Sequence, residues 1–503
     1  MNARSFRHAV MMLPELLALS LVCHAANGTV EVAYATYLGG SGEDVTAGDQ
    51  VTDAAGNLYI AARTTVADFP VTPGAFDTTH NGGPDGVVAK LDPQGNIVWA
   101  TFLGTPGRDD LYGIRLDAQG NVVVAGTFYG PGAPTTAGAL QRTFAGGDGD
   151  GFVAKLKPDG SGLVWATYVG TPAGEVLRGM VLDASGNPLL ATGAHPGNPW
   201  PGAWTAGAFQ SAPQGGIDTT IIKLKNDGSN VLWSTYIGGS ADEDDHSNVA
   251  VDASDRVYVL TTTQSANMPT SVGAYDQTYN GGQDVYVIGL TSDGKSMRFA
   301  TYLGTSQNDG AGGKRGIAIA PDGSIVLGIW TESSTFPTTP GAFRTQPVQF
   351  TPWGVTDATV KLSPSGDLLA STYIGSAEGV GVDGAGNIYT GGTTSLPSFP
   401  VTADAYQPTH RGNGDGYICK FSPDLAQLLY GTYIGGSGVD GVRMTWAEPG
   451  GTFYAFGTTD SADFPVLNAV QPSYAGGSDI FIVKITPTGT SSLAPPKNLR
   501  IVP

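Results

Sequence analysis

The densest run of chemically able side chains is Asp242-Glu243-Asp244-Asp245, followed by His246. Four adjacent carboxylates offer hard oxygen ligands, and the metal that suits them is Ca²⁺. Their spacing matches no metal-binding loop, so these four are candidate metal ligands while no other cofactor is expected. A second set is aromatic: His195-Pro-Gly-Asn-Pro-Trp200-Pro-Gly-Ala-Trp204, and Gln349-Phe350-Thr351-Pro352-Trp353. Flat apolar rings with a polar edge stack on sugars or grip a partner protein, which makes Trp204, Trp353, Trp200, His195 and Phe350 candidate ligand-binding residues. The alternative is that these rings pack beneath their loops, in place of the Phe-Pro pairs at Phe69, Phe336, Phe399 and Phe464. Trp200-Pro201 fits that place, which leaves Trp204 and Trp353 as the stronger candidates. No HExxH, GxSxG or GxxxxGK[ST] occurs, and no catalytic residue is assigned.

The elements that must position these residues are set by a repeat. Thr-aromatic-aliphatic-Gly occurs seven times, at Thr36, Thr101, Thr167, Thr235, Thr301, Thr372 and Thr432, with spacings of 60 to 71 residues. A period of this length marks a repeat protein. Within the second unit, alternating apolar residues and turn formers predict four strands: 113–117, 121–127, 151–156 and 163–169. Two tight hairpins and one long Gly/Pro/Thr-rich connection join them, the pattern of a propeller blade. The chain opens with a fourth-type strand, 32–38, and its last unit ends at a third-type strand, 480–485. Pairing these two would close the ring and remove its free sheet edges. The predicted fold is all-β: a seven-bladed propeller over 32–486, closed by the N-terminal strand.

Repetition also sorts the acids. Every loop entering a first strand carries carboxylate: Glu43 and Asp44, Asp109 and Asp110, Glu175, Asp242 to Asp245, Asp309, Glu378, Asp440. They could form a ring at the channel mouth, or cap turns and accept N–H groups between blades. Asp85, Asp150, Asp218, Asp284, Asp357, Asp415 and Asp479 precede the third strands in all seven units, which points to a structural duty. His80 and His410 fill a slot held elsewhere by Phe144, Tyr279 and Tyr474, so they read as flat spacers.

Segments such as Ala35-Thr-Tyr-Leu-Gly-Gly-Ser-Gly-Glu-Asp44, Phe69-Pro-Val-Thr-Pro-Gly-Ala-Phe76 and Gly82-Gly-Pro-Asp-Gly-Val-Val-Ala-Lys-Leu91 resemble the bacterial SBBP (seven-bladed beta-propeller) repeat. The resemblance implies a bacterial extracytoplasmic protein, often modular, and carries no shared activity or catalytic residues.

Bulk properties agree. The 503 residues include 74 Gly and 33 Pro and only 14 % charged residues, a composition that disfavours long helices. Net charge is −19, which repels phosphate backbones and argues against nucleic acid as a partner. Residues 1–25, with Arg4, Arg7, an apolar stretch and Cys23-His24-Ala25, read as a secretory signal. The expected location is extracytoplasmic: periplasmic, secreted or at the cell surface. No stretch is long and apolar enough for a membrane-embedded chain. Cys419 is then the single thiol, expected as a buried small hydrophobe. Residues 487–503 read as a plain tail or the start of an Fn3/Ig-like module. The functional expectation is a non-enzymatic binding or structural scaffold holding a glycan or protein on its long-loop face. The alternatives are a polysaccharide lyase or hydrolase and a calcium-stabilised adhesion-type module.

Overall fold

The computed structural model describes residues 30–488, apart from 47, 202–203, 245–246, 314, 348–354 and 375–377. It is all-β: seven antiparallel sheets follow one another as seven blades. Blades 1 to 7 span 44–103, 109–169, 179–237, 248–303, 309–373, 380–434 and 440–487 in chain order. The ring closes as the repeat count predicts: strand Val30–Leu38 lies antiparallel to strand Asp479–Pro487 as the outer strand of blade 7. Its Tyr34, Ala35, Tyr37 and Leu38 are buried, so closure is a hydrophobic seam as well as a hydrogen-bonded ladder.

The seven-fold signature is a loop-holding device. Its tyrosine hydroxyl accepts the N–H of the residue anchoring the long loop: Tyr37 from Phe464, Tyr373 from Phe336 and Tyr433 from Phe399, at 2.8–3.0 Å. The signature threonine bonds the same loop further on, as Thr101 does with Asp77 and Thr432 with Gln407. Its glycine leaves room for carboxylates. A Cβ on Gly39 would stand 2.6 Å from Asp44 and 2.8 Å from Asp479; Gly104, Gly238 and Gly435 are hemmed in the same way by Asp85 and Asp109, Asp218 and Glu243, Asp415 and Asp440.

Other repeated marks also find partners. The lysine ending most third strands reaches the aspartate of the first hairpin, as in Lys223–Asp183 at 2.7 Å and Lys155–Asp117 at 3.1 Å. Blade 4 has Gly289 there, and the ring of Phe299 fills the space. Outer-strand aromatics join neighbouring blades: Trp99 lies on Gly160 and Trp165 on Gly228, each donating its indole N–H to a carbonyl of the next hairpin. His80 and His410 stand edge-on to Phe102 and Tyr433, the spacer role expected of them. Cys419 is buried, and burial pushes its thiol well above the usual range.

Candidate functional site

The inner strands begin on the long-loop face, and there the axis opens into a funnel of about 600 Å³. That volume suits a small-molecule ligand. Arginines from consecutive blades converge on it: Arg443 of blade 7, Arg63 of blade 1, Arg108 at the entry to blade 2 and Arg178 at the entry to blade 3. Opposite them stand Asp244, Trp330 and Glu378, at or within blades 4, 5 and 6. The funnel is therefore polarised, with a basic arc facing a wall of one aromatic ring and two carboxylates.

The strands explain how these side chains arrive. The sixth position of each second strand is small in most blades: Thr127, Gly193, Thr262, Thr393, Thr458. Blade 1 places Arg63 there and blade 5 places Trp330. The indole lies across Gly310 of the neighbouring inner strand, where a Cβ would come within 2.1 Å of the ring.

Asp110 organises the arc. It is wholly buried and accepts Arg63 at 2.9 Å, Arg108 at 2.7 Å and the Tyr112 hydroxyl at 3.0 Å. Arg443 pairs with Glu378 at 2.8 Å. Arg178 differs: its guanidinium lies 5.0 Å over the Tyr112 ring, and among the described residues no carboxylate or hydrogen-bond acceptor meets it, although its Nε is shut off from solvent. A guanidinium held against an aromatic face with its donors unspent is prepared for an anion.

The funnel has a floor. In blades 1 and 5 the inner strand is split, into Asp44–Val45 and Gln50–Thr52 and into Asp309–Ala311 and Ile317–Ile319. The interruptions deliver Asp49 and Arg315 to the axis, where they meet at 3.0 Å, and Arg115 of blade 2 takes the other oxygen of Asp49. Arg315 also stacks on Trp446 at 4.3 Å, and burial lowers its pKa to about 10.

The sequence candidates fall elsewhere. Trp200 is buried, 2 % exposed, and stacks on Trp204 at 5.6 Å; both pack on the core of blades 2 and 3. The free aromatic platform expected at Trp200 is thus corrected: its N–H goes to the Tyr236 hydroxyl, as the anchor phenylalanines bond theirs. His195 stands at the root of the same loop, and neither it nor Trp204 lines the funnel. Phe350 and Trp353 lie outside the described residues, as do Asp245 and His246.

The acidic run divides. Asp242 accepts the Ile217 N–H at 2.9 Å; Glu243 is buried on Gly239 and Thr263; Asp244 lines the funnel. Among the described residues no three His, Cys, Asp or Glu side chains converge as a metal would require.

Of the two readings of the loop carboxylates, turn capping holds for most. Asp44, Asp109, Glu175, Glu243, Asp309 and Asp440 are buried, each accepting a backbone N–H four residues back. Among the described residues, only Asp110, Asp244 and Glu378 of these acids line the funnel. The third-strand aspartates do hold the Gly-rich loops: Asp85 accepts Asn81 N–H, Asp150 Ala145, Asp218 Gln214 and Asp479 Ala475, at 2.6–2.8 Å. Blade 5 departs. Thr356 takes that strand position, and Asp357 is displaced by one residue to receive the Tyr417 hydroxyl at 3.3 Å.

The fold and funnel define a seven-bladed propeller with a blind, arginine-lined axial pocket. No protein-family model matches the chain, and no curated protein does. Among solved structures it is similar to a protein of unknown function from Dyadobacter fermentans, at 10 % identity and TM-score 0.43, covering 91 % of this chain and 99 % of that one. A polysaccharide lyase of family PL25, an ulvan lyase, matches at 10 % identity and TM-score 0.44 over 89 % and 96 % of the two chains. The quinohemoprotein alcohol dehydrogenase of Comamonas testosteroni matches at 11 % and 0.42 over 95 % and 79 %. Likeness this distant assigns no activity. No helix among the described residues is long and apolar enough to cross a membrane.

Proposed function

We propose that the chain is an extracytoplasmic, non-enzymatic binding module of the SBBP-repeat type whose axial funnel takes the anionic part of an acidic glycan. The observation that carries this reading is the basic arc: four guanidiniums gather at one opening of a chain whose net charge is −19. Three of them are paired within the protein, Arg63 and Arg108 on Asp110 and Arg443 on Glu378, which leaves Arg178 to draw a group of opposite sign from outside. Arg178, with its donors unspent, would anchor a carboxylate or sulfate, and the Trp330 ring across the funnel would take the apolar face of a sugar. The SBBP resemblance and the leader-like N-terminus support an exported bacterial protein.

Calorimetric titration with acidic and neutral oligosaccharides tests the reading. Acidic chains should bind, less tightly as salt rises, and Arg178→Ala should weaken them at least 10-fold. Equal binding of neutral chains, or full affinity in Arg178→Ala, would remove the funnel from the case. A cleavage assay on the same chains should detect no new ends.

A further inference from the structure

Beneath the funnel, Asp49, Tyr112, Arg115, Arg178, Asn248 and Arg315 surround a separate cavity of about 20 Å³. We infer that this cavity is a halide site, holding one chloride ion between three guanidiniums. The inference goes beyond the glycan-binding role, because the cavity lies in the floor that closes the funnel, although it shares Tyr112 and Arg178 with the funnel above.

Charge is the first argument. Three guanidiniums line the cavity and one carboxylate, Asp49, faces them. That carboxylate is already spent: Oδ1 accepts Arg315 at 3.0 Å and the Gln50 N–H at 2.7 Å, and Oδ2 accepts Arg115. One anion cannot balance three cations in an enclosed place, where unpaired charge is costly.

Donors are the second. Arg115 and Arg315 each give hydrogen bonds from Nη1 alone, to Asp49 and to the carbonyls of Ile114 and Gln50. Among the described residues, no protein acceptor meets their remaining N–H groups or any of those of Arg178. The other polar liners do not compete. Asn248 donates to the carbonyls of Gly312 and Gly313 and accepts the Gly316 N–H, clamping the split strand of blade 5; the Tyr112 hydroxyl donates to Asp110. The cavity thus offers donors and excess positive charge, and asks for an acceptor that is negative.

Size is the third. A space of about 20 Å³ exceeds the ~10–15 Å³ that one water needs, so a single small ion has room. Water would satisfy the donors and leave the charge. A monatomic anion meets the donors and halves the excess of two positive charges that three guanidiniums and Asp49 leave, and it ties together blades 1, 2 and 5 and the entry to blade 3 across the axis.

Bromide tests this on the unmodified protein. Crystals grown in sodium bromide should give one anomalous peak in the cavity, within about 3.5 Å of guanidinium nitrogens. The melting temperature should be about 1–3 °C higher in chloride or bromide than in gluconate at equal ionic strength, since gluconate is too large to enter. Arg178→Met should abolish both the peak and the halide dependence. A cavity without an anomalous peak, or equal melting in chloride and gluconate, overturns the assignment.

Discussion

The blade junctions and the axial funnel handle charge in opposite ways. Between blades the same arrangement recurs: a third-strand carboxyl of one blade and a first-strand carboxyl of the next meet beside a signature glycine, as Asp218 and Glu243 do at Gly238. On the axis the repetition fails: each arginine comes from a different blade, and only Arg178 and Arg443 share a repeat position, three residues after the junction carboxylates Glu175 and Asp440. A feature repeated around a ring serves the ring, whereas a feature that breaks the symmetry is free to serve a ligand. The junctions should therefore govern stability, and the basic arc should govern binding with little effect on stability.

The largest expected effect comes from breaking the closing junction. Deleting residues 26–40 removes the outer strand of blade 7, with buried Tyr34, Tyr37 and Leu38. At about 1.5–3 kcal/mol for each large side chain, the loss rivals the whole stability of a folded chain, roughly 5–15 kcal/mol. Cooperative thermal unfolding should disappear by calorimetry, and a fully folded truncation would contradict the closure.

Next is pH. Burial pushes Asp109, Glu175, Asp218 and Asp284 up to about 7, and Asp44, Asp150 and Asp479 up to about 6. A carboxyl whose pKa is higher folded than unfolded binds its proton more tightly in the native state. Its contribution is full below the ordinary carboxylate range near 4 and is lost as pH rises through 6 to 7. Melting temperature should therefore be higher at pH 5 than at pH 8. Asp218→Asn, which supplies an amide donor toward Glu243, should stabilise the protein at pH 8 and reduce the slope. A flat profile would show that the junctions keep both carboxylates ionised.

A smaller effect is expected at the hairpin seats. Gly228 has φ 68°, and a Cβ there would stand 2.4 Å from the Trp165 ring. Gly228→Ala should cost roughly 2–3 kcal/mol in urea unfolding, through overpacking and left-handed strain. Smallest is Arg178→Ala, which breaks no protein ion pair among the described residues and, in halide-free buffer, should stay within about 0.5 kcal/mol of the parent, while weakening the acidic ligand. A variant that lost stability in that buffer together with binding would erase the distinction between ring and funnel.

The junction side of this comparison was legible in the sequence. Asp85, Asp150, Asp218 and their counterparts stand at a fixed offset from a strand, so a local pattern reveals both their place and their structural duty. The funnel was not. Arg63 and Arg108 carry no spacing in common with the others, Arg178 and Arg443 share only an offset of three from Glu175 and Asp440, and the axis that joins all four exists only once seven sheets surround it. One signal was present: with the second strands aligned, Arg63 and Trp330 stand out in a column of small residues. Trp200, beside Pro201 at the place of the anchor phenylalanines, seats its loop as that alignment suggested, and it drops from the ligand-binding candidates.

The all-β class, the seven blades, the four-stranded unit and the closure of the ring all follow from short-range periodicity and a count of strands along the chain. The tertiary structure alone decided which charges meet: Asp49 and Arg315 are 266 residues apart and touch across the axis only because two inner strands are interrupted. Periodicity is written along the chain, but the electrostatics of a site depend on distances through space, and in a closed ring those are set by every blade at once.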